Sequence, residues 1–93
     1  MNNNTIIKVN EEFEINEVGD SLIILEPNLE EVYVLNAVEK DIWDLIDGNS
    51  TIKDIISQIN NIYEGDTIEA DTKEFFQSLV DKKIVYYIES KNA

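Results

Sequence analysis

The chain has 93 residues, with 20 acidic side chains against 7 lysines, no arginine, and a formal charge of −13. Cysteine and histidine are both absent, which excludes disulfides, thiolate nucleophiles, zinc–thiolate sites and an imidazole base. So acidic a surface repels nucleic-acid phosphates and anionic membranes, and no apolar run nears the ~20 residues of a membrane span.

MNNNTIIKVN lacks a charged region followed by an apolar run, so it does not read as a signal peptide and the expected setting is cytoplasmic. The length fits one domain, 1–93, with a single core. Residues 1–5 are expected to fray. Ile7, Val9, Phe13 and Ile15 alternate as in a half-exposed strand. Val18-Gly19-Asp20-Ser21 supplies a turn, and Ser21–Glu26, SLIILE, is an apolar run of strand length. Pro27 and Asn28 break that run, and Asn28–Glu31 makes a tight connection to Val32–Leu35, which is β-branched and aromatic. Three short strands joined by short turns predict an antiparallel meander.

The remainder reads as helical. Asn36-Ala-Val-Glu39, Thr51-Ile-Lys-Asp54 and Asp66-Thr-Ile-Glu69 each place an acid three residues after a polar cap. The cap accepts a bond from a first-turn amide, and the acid answers it while meeting the positive helix end. Apolar residues at helical spacing follow each one. The first helix is expected to bury Val38, Ile42, Leu45 and Ile46, with Trp43 beside them, and to stop at Gly48. The second is expected to bury Ile52, Ile55, Ile56, Ile59 and Ile62 and to stop at Gly65. The third carries Ile68, Thr72, Phe75, Phe76, Leu79 and Val80 on a wide apolar face. Ile84–Ile88, IVYYI, reads as a closing strand or extended tail. The predicted fold is α+β: a winged helix-turn-helix with a three-stranded antiparallel sheet, then three helices and a short C-terminal extended segment.

Little here suggests catalysis. Asp41 and Asp44 are neighbours on the first helix, but both lie opposite its apolar stripe, as a solvated face would. There is no calcium-loop spacing, no phosphate-cradling glycine loop and no Ser-His-Asp set. No catalytic residue, metal ligand or cofactor is expected, and the chain does not read as an enzyme. A winged-helix DNA binder needs basic residues on its second or third helix, whereas the second carries Lys53 alone.

Binding features are more informative. Phe75 and Phe76 sit about 100° apart on the third helix. If Thr72, Phe75 and Leu79 face the core, then Lys73, Phe76 and Val80 turn to its side, where Phe76 and Val80 line a shallow groove. The other reading packs both inward. Val32–Leu35 belongs to a small sheet with two edges, and an unprotected edge offers amides and carbonyls to an extended peptide. Residues 11–47 hold 12 acids and one lysine, whereas Lys73, Lys82 and Lys83 fall in one late segment. That segment is either ordinary solubilising surface or a docking spot for an acidic partner.

The run VYVLNAVEKDIWDLIDGNSTIKDI resembles PqqD-like proteins. The matching positions are Leu35, Asn36, Ile42, Trp43, Leu45, Ile46, Asp47, Gly48 and Thr51, followed by Asp71, Phe75, Leu79 and Ile84-Val85. SLIILEPN resembles the family's second strand and turn. The resemblance runs from about residue 10 to 88. It implies a free-standing recognition element that binds the leader of a ribosomally made precursor peptide as an added strand. The domain then presents the precursor to a maturation enzyme, either a radical S-adenosylmethionine enzyme or a leader peptidase and cyclase. Carried over, the leader-binding residues are Val32, Tyr33, Val34, Leu35, Lys73, Phe76, Gln77 and Val80, with Lys73, Lys82 or Lys83 meeting leader acids. One departure stands out: the family often has a glycine before its last strand, where this chain has Lys82-Lys83. A subunit-interface module without a peptide site and a homodimer through the strand edge are the other readings.

Overall fold

The computed structural model describes residues 3–28 and 31–89. Expectations for Met1, Asn2, Leu29 and Glu30 lie outside these residues. The elements are β1 (Thr5–Val9), β2 (Glu14–Val18), β3 (Ser21–Leu25), β4 (Val32–Leu35), α1 (Ala37–Asp44), α2 (Ile52–Ile62), α3 (Ile68–Asp81) and β5 (Val85–Glu89). The fold is α+β, with the expected antiparallel meander β2-β3-β4 followed by three helices.

The alternating stretch Ile7–Ile15 is not one strand. Asn10 divides it: the Phe13 amide donates to the Asn10 carbonyl at 3.2 Å, and the Glu12 amide to Asn10 Oδ1 at 3.1 Å. The part before this turn, β1, pairs with β5 as a separate two-stranded ribbon, Thr5 opposite Glu89 and Val9 opposite Val85. Thr5 is buried, Ile6 bridges to Thr51, and the Lys53 amide donates to the Asn3 carbonyl at 3.1 Å. The ribbon therefore packs over the start of α2.

Two of the three expected capping boxes form. Asn36 Oδ1 accepts from the Glu39 amide at 2.8 Å, and the Glu39 carboxylate accepts from the Asn36 amide at 3.0 Å. Thr51 and Asp54 repeat this exchange at 3.2 Å each way. The third does not form. The cap of α3 lies one residue later, at Thr67, whose hydroxyl donates to Asp71 instead of capping an amide. α1 is also shorter than expected. It closes at Leu45 with its amide on Ile42, and Gly48, at φ +81°, lies in the following loop. Val38 and Ile62 are exposed, not buried.

α3 ends in a Schellman motif. The Ile84 amide reaches back to the Leu79 carbonyl at 3.0 Å, and the Lys83 amide to Val80 at 2.9 Å. The residue that must turn left-handed is Lys83, at φ +64°. A lysine thus holds the backbone position that suits glycine best. Asn10 secures the turn from outside, its side-chain amide on the Lys83 carbonyl at 3.0 Å and its backbone amide on Ile84 at 2.9 Å. The chain then runs straight into β5.

One core joins all layers. Leu22, Ile24 and Leu35 enter from the meander, Ile42 and Trp43 from α1, and Ile52, Ile55 and Ile59 from α2. Thr72, Phe76 and Leu79 come from α3, and Ile7, Ile84 and Val85 from the ribbon.

Candidate functional site

β4 is an edge of its sheet. It pairs with β3 on one side, Leu22 opposite Leu35 and Leu25 opposite Val32, and with no other strand among the described residues. The Glu26 amide donates to the Glu31 carbonyl at 3.3 Å, marking that opposed couple as hydrogen-bonded. Alternation along the antiparallel register then makes Ile24–Tyr33 and Leu22–Leu35 the bonded couples. The amides and carbonyls of Val32 and Val34 accordingly point outward. Their side chains are also open, at 55% and 62% exposure.

Beyond this edge lies a cleft of about 270 Å³ between β4 and α3. Its β4 wall is Val32–Leu35, and its helical wall is Phe75, Ser78, Leu79 and Lys82. Ile84 and Glu39 of α1 complete its lining. The cleft exists because α2 and β5 hold α3 against the core, where Thr72, Phe76 and Leu79 are buried, while β5 carries the chain away to pair with β1.

The sequence expectation for the helical wall is corrected here. Phe76 is fully buried, at 0% exposure, and joins Thr72 and Leu79 in the core. Phe75 turns to the side and lines the cleft. α3 is turned by about one residue from the orientation its sequence suggests, so the wall is the stripe Phe75, Ser78, Leu79, Lys82 at spacings of three and four. Val80 faces the opposite side of α3, in a shallow cleft with Asn10, Lys83 and Tyr87. Lys73 lies away from β4 in an ion pair with Glu69 at 3.1 Å. Gln77 stands on the outer rim, its amide on Asp81 at 2.9 Å. Lys82, one of the three lysines expected to meet leader acids, lines the cleft; Phe75, Ser78 and Glu39 line it without having been assigned to the leader-binding set. The three-and-four spacing was legible in the sequence, but not which stripe met β4.

Charges around the cleft are ordered by specific bonds. The Tyr33 hydroxyl donates to Glu31 at 2.6 Å and to Glu26 at 3.1 Å. Its phenol is held well above the usual range, first by the bond to the Glu31 carboxylate and then by desolvation. Lys82 Nζ lies 5.5 Å from the centre of the Tyr33 ring and donates to Ser78 Oγ at 2.8 Å. The three late lysines do not share one patch: Lys82 faces β4, Lys73 pairs with Glu69, and Lys83 borders the opposite cleft. The other acidic pair considered is already engaged. Asp41 accepts from the Tyr63 hydroxyl, and Asp44 from Lys40 at 3.2 Å. Among the described residues no helix is long and apolar enough to cross a membrane.

No curated protein matches the chain. Two solved structures are similar. TbiB1, solved in complex with the TbiA(beta) leader peptide, superposes with a TM-score of 0.75 at 24% identity, over 84% of this chain and 93% of that one. The heterocyclase TruD superposes with a TM-score of 0.66 at 13% identity, over 96% of this chain and 12% of that one. At these identities the likeness speaks for the fold. In sequence, the family model for coenzyme PQQ synthesis protein D (PqqD) matches residues 21–85, a span that holds both walls of the cleft, and on that match the chain belongs to the PqqD family.

Proposed function

We propose that this domain binds the leader segment of a ribosomally synthesised precursor peptide and presents the precursor to a modifying enzyme, performing no chemistry itself. The leader adds as a strand beside β4, pairing with the outward groups of Val32 and Val34. Its side chains on one face enter the cleft against Phe75 and Leu79. The backbone bonds are worth about 0.5–1.5 kcal/mol each. An apolar anchor adds about 1.5–3 kcal/mol when fully buried, so the anchors set affinity and the β4 edge sets direction.

The observation that carries this reading is the open edge of β4 facing a partly apolar cleft, with the protein's own β5 paired elsewhere, on β1. Membership of the PqqD family supports it, as does the likeness to TbiB1, whose structure contains a leader peptide. The TruD likeness supports an enzyme partner, since there a similar domain is part of a heterocyclase chain. The partner would be a radical S-adenosylmethionine enzyme or a leader peptidase and cyclase.

The test is calorimetry and amide NMR with a synthetic leader, taken from a precursor encoded beside this chain. Saturable binding is expected, with the largest shifts at Val32–Leu35 and Phe75–Lys82. Absence of heat together with an unmoved spectrum would refute the reading. Presentation is tested by adding the domain to enzyme and precursor: modification of the full precursor should rise, and that of leaderless core peptide should not.

A further inference from the structure

Lys82 differs from the other lysines whose partners are seen. Lys40 is matched by Asp44 at 3.2 Å, and Lys73 by Glu69 at 3.1 Å. The contacts of Lys82 are instead a hydroxyl, Ser78 Oγ, and an aromatic face, Tyr33. No described carboxylate pairs with it. Glu39, the acid in the lining of the same cleft, accepts from the Asn36 amide at 3.0 Å. Tyr33 directs its hydroxyl to Glu31 and Glu26, which leaves its ring face for the ammonium. A chain of charge −13 therefore keeps one cation, without an acid to match it, on the wall of its cleft.

The position of that cation is also specific. Its bond to Ser78 folds the Lys82 side chain back by one turn of α3, toward Phe75. Phe75 and Ser78 are separated by a rise of about 4.5 Å along the helix. Alternate residues of an extended strand lie on one face at a spacing of about 6.6 Å. For a strand added along α3, the spacing of two successive same-face residues is within about 2 Å of that rise, which puts one residue at Phe75 and the next at the ammonium.

We infer that the guest peptide carries an apolar side chain and a carboxylate separated by one residue, the apolar group on Phe75 and the carboxylate on Lys82. This rests on the strand-addition reading above and adds to it the chemistry of the guest. The net charge works against acidic peptides in general, because the long-range field of the domain repels them. Recognition then falls on a single acid at one register position. A slip of one residue turns both groups away from α3, so the pair also fixes register.

The experiment uses a phage-displayed library of random dodecapeptides, panned against the whole chain and against Lys82→Gln, which keeps an aliphatic stem. Circular dichroism of both proteins controls for folding. On the wild type, enriched peptides should share an apolar residue and an Asp or Glu with one residue between them. On Lys82→Gln the apolar position should persist and the acid should vanish. For the best synthetic peptide, Lys82→Gln and the peptide's own Glu→Gln should each weaken binding about 2- to 5-fold. Making both changes should weaken it no further. Enrichment of apolar peptides without the spaced acid, or an unchanged acid preference on Lys82→Gln, overturns the inference and leaves strand addition standing. If no peptide is enriched, both fail.

Discussion

The rings of Phe75 and Phe76 lie 5.9 Å apart and are tilted by 35°, yet the two residues serve different faces of α3, about 100° apart. Phe76 is part of the core, and Phe75 is half-buried on the wall of the β4 cleft. Truncating them should separate stability from binding. Phe76→Ala is expected to cost about 3–5 kcal/mol, enough to unfold much of a domain this small. Phe75→Ala should cost far less stability but weaken leader binding about tenfold or more. Urea titration and calorimetry on both variants check this. Equal binding by wild type and Phe75→Ala would remove Phe75 from the site.

Lys83 gives a prediction of opposite sign. Its left-handed backbone, φ +64°, carries a Cβ penalty that glycine avoids. Lys83→Gly is expected to stabilise the domain by about 0.5–1 kcal/mol, after allowing for the greater freedom of glycine in the unfolded chain. In a domain of this size that raises Tm by about 2–8 °C. Thermal unfolding followed by circular dichroism reads it directly. A lower Tm would mean that the Lys83 side chain contributes more than its backbone costs.

The helix starts should not respond alike. Asn36→Ala and Thr51→Ala each remove a bonded cap and are expected to cost about 1 kcal/mol. Thr67→Ala removes no cap bond, because that hydroxyl is directed to Asp71 at 3.0 Å. Its cost should be a few tenths of a kcal/mol, within the range of ordinary surface changes. Chemical unfolding of the three variants ranks them.

These cases mark what the sequence carries and what it does not. Asn36–Glu39 and Thr51–Asp54 were legible because a capping box is a local exchange, complete within four residues. Asp66–Glu69 has the same spelling but failed, because the next residue, Thr67, became the cap position instead. The alternation of Ile7, Val9, Phe13 and Ile15 specifies strand but not sheet; only the pairing of β1 with β5 reveals the division at Asn10. The β4 edge was readable from Val32–Leu35. The matching wall of α3 was not, since a 100° choice between adjacent phenylalanines depends on how α2 and β5 rotate the helix. The left-handed turn could be anticipated only as a departure from glycine at Lys82-Lys83.

Asp47 supplies a pH dependence. Its carboxylate accepts from the amides of Asn49 at 2.9 Å and Ser50 at 2.7 Å, and from the Ser50 hydroxyl at 3.0 Å. These bonds, the Asn49 amide first, hold its pKa below the usual carboxylate value in the folded state. The unfolded chain has no such bonds, so it takes up the proton first as the pH falls. The stabilisation from Asp47 is thus fully present above about pH 5. It is lost as the pH drops through the depressed folded value. Urea midpoints measured against pH should show wild type exceeding Asp47→Asn near neutrality, with the gap closing below about pH 4. A gap independent of pH would show that the carboxylate's charge is not what the loop uses.

The most direct probe of strand addition is proline in β4. Val34 turns its amide outward, away from β3, whereas Tyr33 belongs to a bonded couple. Proline removes one donor and is tolerated on edge strands where that donor faces solvent. Val34→Pro should therefore leave the meander folded while removing the amide that a guest backbone would accept from. The ring also crowds the approach of an added strand. Leader affinity should fall about 2- to 10-fold, since one backbone bond accounts for about 0.5–1.5 kcal/mol. Tyr33→Pro should instead break the ladder to β3 and lower stability. Calorimetry with the synthetic leader, paired with thermal unfolding, distinguishes the two. If Val34→Pro binds the leader like wild type, the guest does not pair with β4, and a surface elsewhere must hold it.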